Sequence, residues 1–500
     1  MRRWSLFVAS LLIALFPLAA GGQAPADPLV GIGARMDALE RENESLRQLL
    51  IERLPPVGEA PPVNSFVSQN VPAPTSLEAR IAALEEDQLN AAESAAKKQA
   101  DAEASPTQKW TGRIHMDYWS FPHTSPGANA FENGDADESV RDRFLFRRAR
   151  LGLQGDIPDN MLYKLEVDFN MPSAVQFKDV YIGWQDLPLL QTVQVGNQKR
   201  PYGLDHLNSS RFNVFLERPD IVEAFNQDAR RFGICSYGVS SDEAWNWRFG
   251  PYMSEDLQNF GIVLTSEPRE VYQAEFAGRL ANTLWYDEAS GGRGFAHWGI
   301  SGTAANTDGD APNSTARFMS RVEARTSRRW IDTGIIAGAE SYELLGLEGL
   351  LNLGPVQVVG EYQQVWMQRD ADPSLHFHGG YCYVSYFLTG ESMAWDRTLG
   401  QLDRLQPFEN FFLVDTLHDG VAAGWGAWQI AARFSHADLS DQNIDGGVAN
   451  EATLALNWHW NAYSKMQFNA IYGEIEDRRP VDGQTDATFT IVGARLAVDF

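Results

Sequence analysis

The sequence predicts an all-β fold: a transmembrane antiparallel β-barrel of about sixteen strands, preceded by an N-terminal α-helical coiled-coil segment. Three observations carry this expectation. From Trp110 to the last residue the apolar pattern has period two, with no helical stretch between strands. Trp and Tyr gather at strand ends. After residue 24, no uncharged apolar run reaches the ~18 residues that a membrane-crossing helix needs, although the chain opens on an export signal. Composition fits a large closed architecture: 15 Trp, 15 Tyr, 27 Phe and 42 Gly in 500 residues. A hydrophobic content of 44% excludes a disordered chain, and two Cys exclude a disulfide scaffold. A net charge of −25 excludes general electrostatic binding to nucleic acid or anionic lipid.

The elements follow in chain order. Met1-Arg2-Arg3, an apolar run from Trp4 to Ala20 and the small residues to Ala24 read as a secretory signal over residues 1–24. Residues 25–109 are expected to be periplasmic. Within them Ile32, Met36, Leu39, Asn43, Leu46 and Leu50 recur at alternating spacings of four and three, a coiled-coil seam whose polar Asn43 fixes register. Such a seam implies self-association. From Pro55 to Pro74 paired prolines forbid helix and make an extended spacer. A second seam at Leu77, Ile81 and Leu84 then decays into an Ala-rich stretch.

Residues 110–500 form the predicted barrel. In Leu145 to Gln154, Ala149, Leu151 and Leu153 share one face, with Arg148, Arg150 and Gln154 on the other. Tyr163 to Phe169, Arg317 to Arg325 and Thr490 to Phe500 repeat the alternation, so each reads as a strand. A soluble sandwich or propeller would bury the apolar face as a core; a membrane barrel turns it to lipid. The pairs Trp245/Trp247, Tyr362/Trp366 and Trp458/Trp460 suit interfacial girdles. Polar runs at Gly302 to Thr315 and Ser440 to Asn450 read as external loops, and the closing strand ends on Phe500, as in outer-membrane barrels. Sixteen strands allot roughly 24 residues to each strand and its loop, room for the ~9–11 that cross a bilayer. Fourteen or eighteen would fit the arithmetic nearly as well.

The stretches Phe146 to Gly155, Phe177 to Gly183, Val195 to Gly203, Leu216 to Pro219 with Ala224-Phe225, Gly354 to Tyr362, Val384 to Glu391 and Gly426 to Ser435 stand in an order that resembles the phosphate-selective porin O and P family of bacterial outer-membrane proteins. The resemblance implies a trimeric, water-filled, sixteen-stranded pore with basic residues along the channel. It covers about residues 110–500 and leaves the coiled coil outside.

Parity then assigns the lumen, because a charge facing lipid at mid-depth costs ~2–4 kcal/mol. It places Arg113, Arg148, Arg150, Arg248, Arg279, Arg321, Arg325, Arg433 and Arg495 inside, together with Asp117, Glu166, Asp168, Asp179, Glu323 and Glu361. Arginine suits an anion path, since it stays charged and its fork matches phosphate or carboxylate oxygens. The same pattern is equally a lattice of salt bridges that stiffens a polar wall; the two look alike in sequence. Lys199 to Arg231 interrupts the strands and carries Arg211, Arg218, Arg230 and Arg231. The resemblance implies that it folds inward and constricts the pore.

No nucleophile, base and orienter stand together, so no enzyme is expected, nor any cofactor. His376 and His378 face one way on a strand and could in principle hold a metal, but with no third ligand evident they read as a surface pair. Asp308-Gly309-Asp310 lacks the spacing of a calcium loop. Cys235 and Cys382 lie in separate strand-like segments, and their distance is not readable. The expectation is an outer-membrane diffusion channel for small hydrophilic solutes, biased to anions, phosphate-like ones among the candidates, in a Gram-negative-type bacterium. Its partners are membrane lipid, the solutes and two further copies of the chain. The alternative is a structural anchor whose coiled coil tethers the barrel to the cell wall.

Overall fold

In the computed structural model, residues 105–171, 174–226, 230–254, 273–310, 316–416 and 420–500 are described. The signal, both seams and the proline spacer lie outside them.

The strands are β1 (Lys109–Thr124), β2 (Arg143–Ile157), β3 (Met161–Met171), β4 (Ala174–Leu187), β5 (Gln191–Gln198), β6 (Arg231–Val239), β7 (Trp245–Met253), β8 (Ala274–Tyr286), β9 (Gly294–Asn306), β10 (Met319–Ser320), β11 (Ile331–Asp332), β12 (Ala339–Leu353), β13 (Val356–Arg369), β14 (Leu375–Phe387), β15 (Trp395–Asp396), β16 (Gln401–Leu402), β17 (Phe411–Thr416), β18 (Gly420–Trp425), β19 (Ala427–Asp441), β20 (Ile444–Asn461), β21 (Ser464–Arg478) and β22 (Ala487–Asp499). Sixteen of them close into an antiparallel barrel, β1 to β9, β12 to β14 and β19 to β22 in chain order. β22 pairs with β1, and Gly112 and Phe500 exchange backbone hydrogen bonds of 2.9 and 3.1 Å at the seam. Closure leaves no free edge, which a membrane-spanning sheet requires.

The alternation seen in the sequence becomes an inverted core. On β19, Ile430 and Phe434 point outward, with Phe434 57% exposed, while Gln429, Arg433 and Ser435 are buried inside. On β20, Leu454 is 64% exposed and Thr453 and Asn457 are buried. Apolar residues outside and polar ones inside are the arrangement lipid demands.

β1 begins and β22 ends at one rim, where most hairpins are short, as at Gly354-Pro355 and Ala462-Tyr463. The opposite rim carries the longer connections that follow β1, β5 and β9. The exception is the segment 388–426, a long insertion at the terminal rim holding β15 to β18.

Three expectations are corrected. Arg317 to Arg325 is no wall strand: β9 pairs directly with β12, which leaves no slot in the wall, and only β10 there pairs, with β11. Gly302 to Asn306 completes β9, and Ser440 to Asn450 is the meeting of β19 and β20 across the turn Gln442-Asn443. Both polar runs are strand because the strands continue above the apolar belt, where polar side chains are free to point outward.

Candidate functional site

The segment 199–230 folds into the barrel. Its sequence explains why: Tyr202, Leu204, Val214, Phe215, Leu216, Ile221, Val222 and Phe225 are all buried, a load that an external loop would expose to water. Phe215 packs edge-on to Tyr383 of β14 at 5.5 Å, and Phe225 to Phe318 at 5.3 Å. Gly203, at φ +57°, makes the turn that brings the chain to Glu361, and a Cβ there would collide with that carboxylate. Glu361 on β13 then accepts from the backbone N–H of Leu204 at 2.9 Å and Asp205 at 2.6 Å, and from the Tyr381 hydroxyl at 2.6 Å.

Further fixings come from β20 to β22. Asn457 and Lys465 donate to the carbonyls of Val214 and Asn213 at 2.8 Å, and Arg495 donates to that of Leu216. Glu217 is the hub. It takes a two-pronged ion pair from Arg147 of β2 at 2.7 and 2.8 Å and a third bond from Arg495 of β22 at 2.7 Å. Burial alone would raise this carboxyl, but Arg147 and Arg495 outweigh it and hold it well below the usual carboxylate range.

Two other segments enter the lumen. In the loop before β12, Trp330 is fully buried and donates to Glu132 at 2.9 Å, and Glu132 also accepts from Ser327 N and Arg143. From the terminal rim, Trp395 donates to Thr283 at 3.1 Å, and Leu402 N donates to Asn208 of the first loop at 3.0 Å. Between these segments and the wall from β2 to β7 lies a cavity of 560 Å³. Eleven Arg and three Lys line it against two Asp and two Glu.

Comparison with known proteins places this geometry. Residues 109–500 match the family model for phosphate-selective porin O and P. The chain belongs to that family. An uncharacterized protein of Caulobacter vibrioides is 27% identical over 390 residues, covering 73% of this chain and 71% of its own. Among solved structures, the outer membrane channel DcaP of Acinetobacter baumannii aligns at 10% identity and TM-score 0.47, over 79% of this chain and 98% of that one. An anion-selective porin from Comamonas acidovorans aligns at 13% and 0.44, over 79% and 100%.

In this porin the predicted arginines fall into two groups. Arg495 pairs with Asp117 at 2.6 Å and with Glu217; Arg433 pairs with Glu323 at 2.5 Å beneath Phe215; Arg279 is bound to Glu348, which also holds His297 at 2.7 Å. Arg113 pairs with Glu166 at 3.0 Å, and Arg150 with Asp168 at 2.6 Å. By contrast, Arg148 contacts His115 at 3.2 Å, and Arg248 lies over the Tyr237 ring at 5.4 Å. Neither these two nor Arg325 makes an ion pair with a described carboxylate. Arg321 and Arg325 reach the cavity from the inserted loop rather than from a wall strand, and Arg321 pairs with Glu223 at 3.2 Å.

Of the four arginines assigned to the inward loop, Arg211 pairs with Asp499 at 3.1 Å, and Arg218 donates to the carbonyls of Asp205 and Asn208 at 2.9 Å. Arg230 pairs with Asp179 at 2.8 Å. Arg231 is not in the loop but is the first residue of β6.

Parity missed Arg147, Lys178 and Arg329, all on the cavity; Lys164, which shares the polar face of β3 with Glu166 and Asp168, lines it too. For Arg147 a signal existed. His115 pairs with Arg148 and Met116 with Phe146, so a bulge at Arg147 turns two consecutive arginines to one side. Adjacent Arg147-Arg148 between outward Phe146 and Leu151 cannot be accommodated by strict alternation.

Proposed function

We propose that this porin is a passive outer-membrane channel for small hydrophilic solutes that prefers anions, phosphate-like ones included. The observation that carries the reading is the cavity lining: fourteen cationic side chains against four carboxylates, within a chain of net charge −25. Negative charge is spread over the chain while positive charge is concentrated on the path, and fixed charge in a narrow aqueous passage raises the local concentration of counter-ions. Arg148, Arg248 and Arg325 are the strongest candidates for direct contact with the solute, because no described carboxylate competes for them. Arginine pairs along the route, such as Arg230 with Asp179, keep the wall rigid without cancelling the excess.

We read the terminal rim as periplasmic, which places the N-terminal region in the periplasm, and the working assembly as a homotrimer. The family assignment and the seam at Ile32 to Leu50 support self-association.

Reconstitution of the purified protein in a planar bilayer under a potassium chloride gradient tests the channel reading. The reversal potential should move toward the chloride value, and added phosphate should lower the chloride current. A potential at the potassium value overturns the anion preference, and a sealed bilayer would favour the anchor reading.

A further inference from the structure

The outer face of β14 and β19 near the rim away from the termini carries a cluster that the channel does not use. On β14, alternate residues His376, His378, Cys382 and Val384 face outward, and on β19 Phe434, His436 and Asp438 do the same. The register sets His378 opposite Asp438 and Gly380 opposite His436. Gly380 has no side chain, and a Cβ there would stand 2.7 Å from the Glu361 carbonyl. The His436 ring therefore has open space across the strand and leans toward His378, with the ring centroids 5.8 Å apart.

Donor atoms of His378, His436 and Asp438 all lie within 4.8 Å of one another. His378 Nδ1 stands 4.0 Å from Asp438 Oδ2 and has no hydrogen-bond partner, although the atom is shielded from solvent. The other donors are oriented from behind. Asn450 Oδ1 accepts from His436 Nδ1 at 2.9 Å, which leaves the Nε2 lone pair free. Asp438 Oδ1 accepts from Ser440 N at 3.0 Å, which leaves Oδ2 for a ligand. His376 is already occupied: it stacks on Trp366 at 5.6 Å and contacts Gln364 at 3.3 Å.

We propose that His378, His436 and Asp438 form a binding site for a divalent transition-metal ion of the zinc class on the outer wall of the barrel. Two imidazoles and a carboxylate suit zinc, copper or nickel rather than magnesium or calcium, which prefer all-oxygen shells. A tetrahedral zinc ion sets its ligand atoms about 3.3 Å apart, so the side chains need to close by less than the width of an atom. The depth is suitable. Phe434, Ile430 and Leu454 mark the apolar belt below, Tyr362 and Trp366 stand at the level of the cluster, and Glu474 and Glu476 continue the polar band on β21. Water and ions reach that height. A bound cation also neutralises Asp438, a carboxylate otherwise held on the outer wall of a membrane barrel. Three protein donors leave one coordination position open toward the surroundings.

The test uses untagged full-length protein, folded in detergent and stripped by a chelator, with zinc alone as the probe. Equilibrium dialysis should find one zinc ion per chain, and cobalt in its place should show the visible bands of tetrahedral nitrogen and oxygen coordination. His378→Ala, His436→Gln and Asp438→Asn should each abolish binding while keeping the heat-modifiable gel migration of a folded barrel. Asn450→Ala, which removes only the orienting bond, should weaken affinity about 10- to 100-fold, and His376→Ala should leave it unchanged. Absence of zinc binding by the wild type, or binding undiminished in the folded His378 and His436 variants, overturns the site.

Discussion

The wall from β2 to β7 and the wall from β19 to β22 carry the same kind of residue on the same inward parity, yet their arginines do different things. On the second wall the inward loop lies directly over the charges, and each is locked: Arg495 to Asp117 and Glu217, Arg433 to Glu323. On the first, the loop and the wall face each other across the 560 Å³ cavity, which Arg148 and Arg248 line with no described carboxylate on them. An unpaired charge beneath the loop would be stranded in a dry contact, at a cost of several kcal/mol, so pairing there is a condition of folding. Beside the cavity, Arg148 rests on the His115 ring nitrogen and Arg248 on the Tyr237 ring in place of a carboxylate. The ladder of fixed charges and the lattice of salt bridges are both present: pairs run through both walls, as at Arg150 with Asp168 and Arg433 with Glu323, while Arg148 and Arg248, without a described carboxylate, stand on the cavity side alone.

The largest effect should come from cutting the tie between the walls. Glu217 is the carboxylate that joins Arg147 of β2 to Arg495 of β22. Glu217→Ala leaves two buried guanidiniums short of a partner, a loss of about 3–5 kcal/mol. The loop should unseat, single-channel conductance should rise with frequent fluctuation, and protease should cut between residues 199 and 230. A quiet, unchanged conductance would show that the apolar seat of Val214, Phe215 and Leu216 holds the loop unaided.

Next in size is the contrast between the arginine groups. Arg148→Glu with Arg325→Glu should move the reversal potential toward cations, because both side chains face the cavity and no described carboxylate neutralises them. Arg433→Gln with Glu323→Gln removes a covered pair of zero net charge and should leave the reversal potential where it was. Equal shifts from the two double variants would erase the distinction between the walls.

How far the sequence reaches follows the same division. Parity reads the wall well, because lipid outside and water inside act on every strand alike: Arg113, Arg433 and Arg495 are turned inward as the alternation requires. It fails where a local device breaks the period, as at the bulge that turns Arg147 in beside Arg148. It fails again at Arg317 to Arg325, whose alternation serves the small β10–β11 pair on a plug rather than a wall strand. Partners are not legible at all. Glu217 and Arg495 are joined by a closure that brings the two ends of the barrel together, and spacing along the chain carries no trace of it. The seam at Ile32 to Leu50 is a regular pattern in the sequence and lies outside the described residues.

The smallest expected effect concerns pH at the loop's second seat. Asp220, in the short helix Asp220–Phe225, is buried on the covered wall. Burial, then the nearby Glu323 and Glu223, push its carboxyl well above the ordinary aspartate range against the opposing pull of Arg433, and Glu451 of β20 adjoins the same space. A value raised in the folded state means that the stabilisation is complete below the unfolded aspartate range and is lost as pH rises through the raised value. Glu217 has the opposite sign: its contribution is present above the unfolded glutamate range and is lost as pH falls toward its depressed value. Above the unfolded glutamate range the Glu217 tie therefore stays constant, and Asp220 alone of these two should loosen the loop as pH rises. Open-channel noise, recorded across that range, should increase with pH in the wild type. Asp220→Asn keeps a neutral side chain of the same shape at every pH, so its noise should be flat and as low as that of the wild type in acid. A variant whose noise still climbs with pH would move the titration to another group on the covered wall.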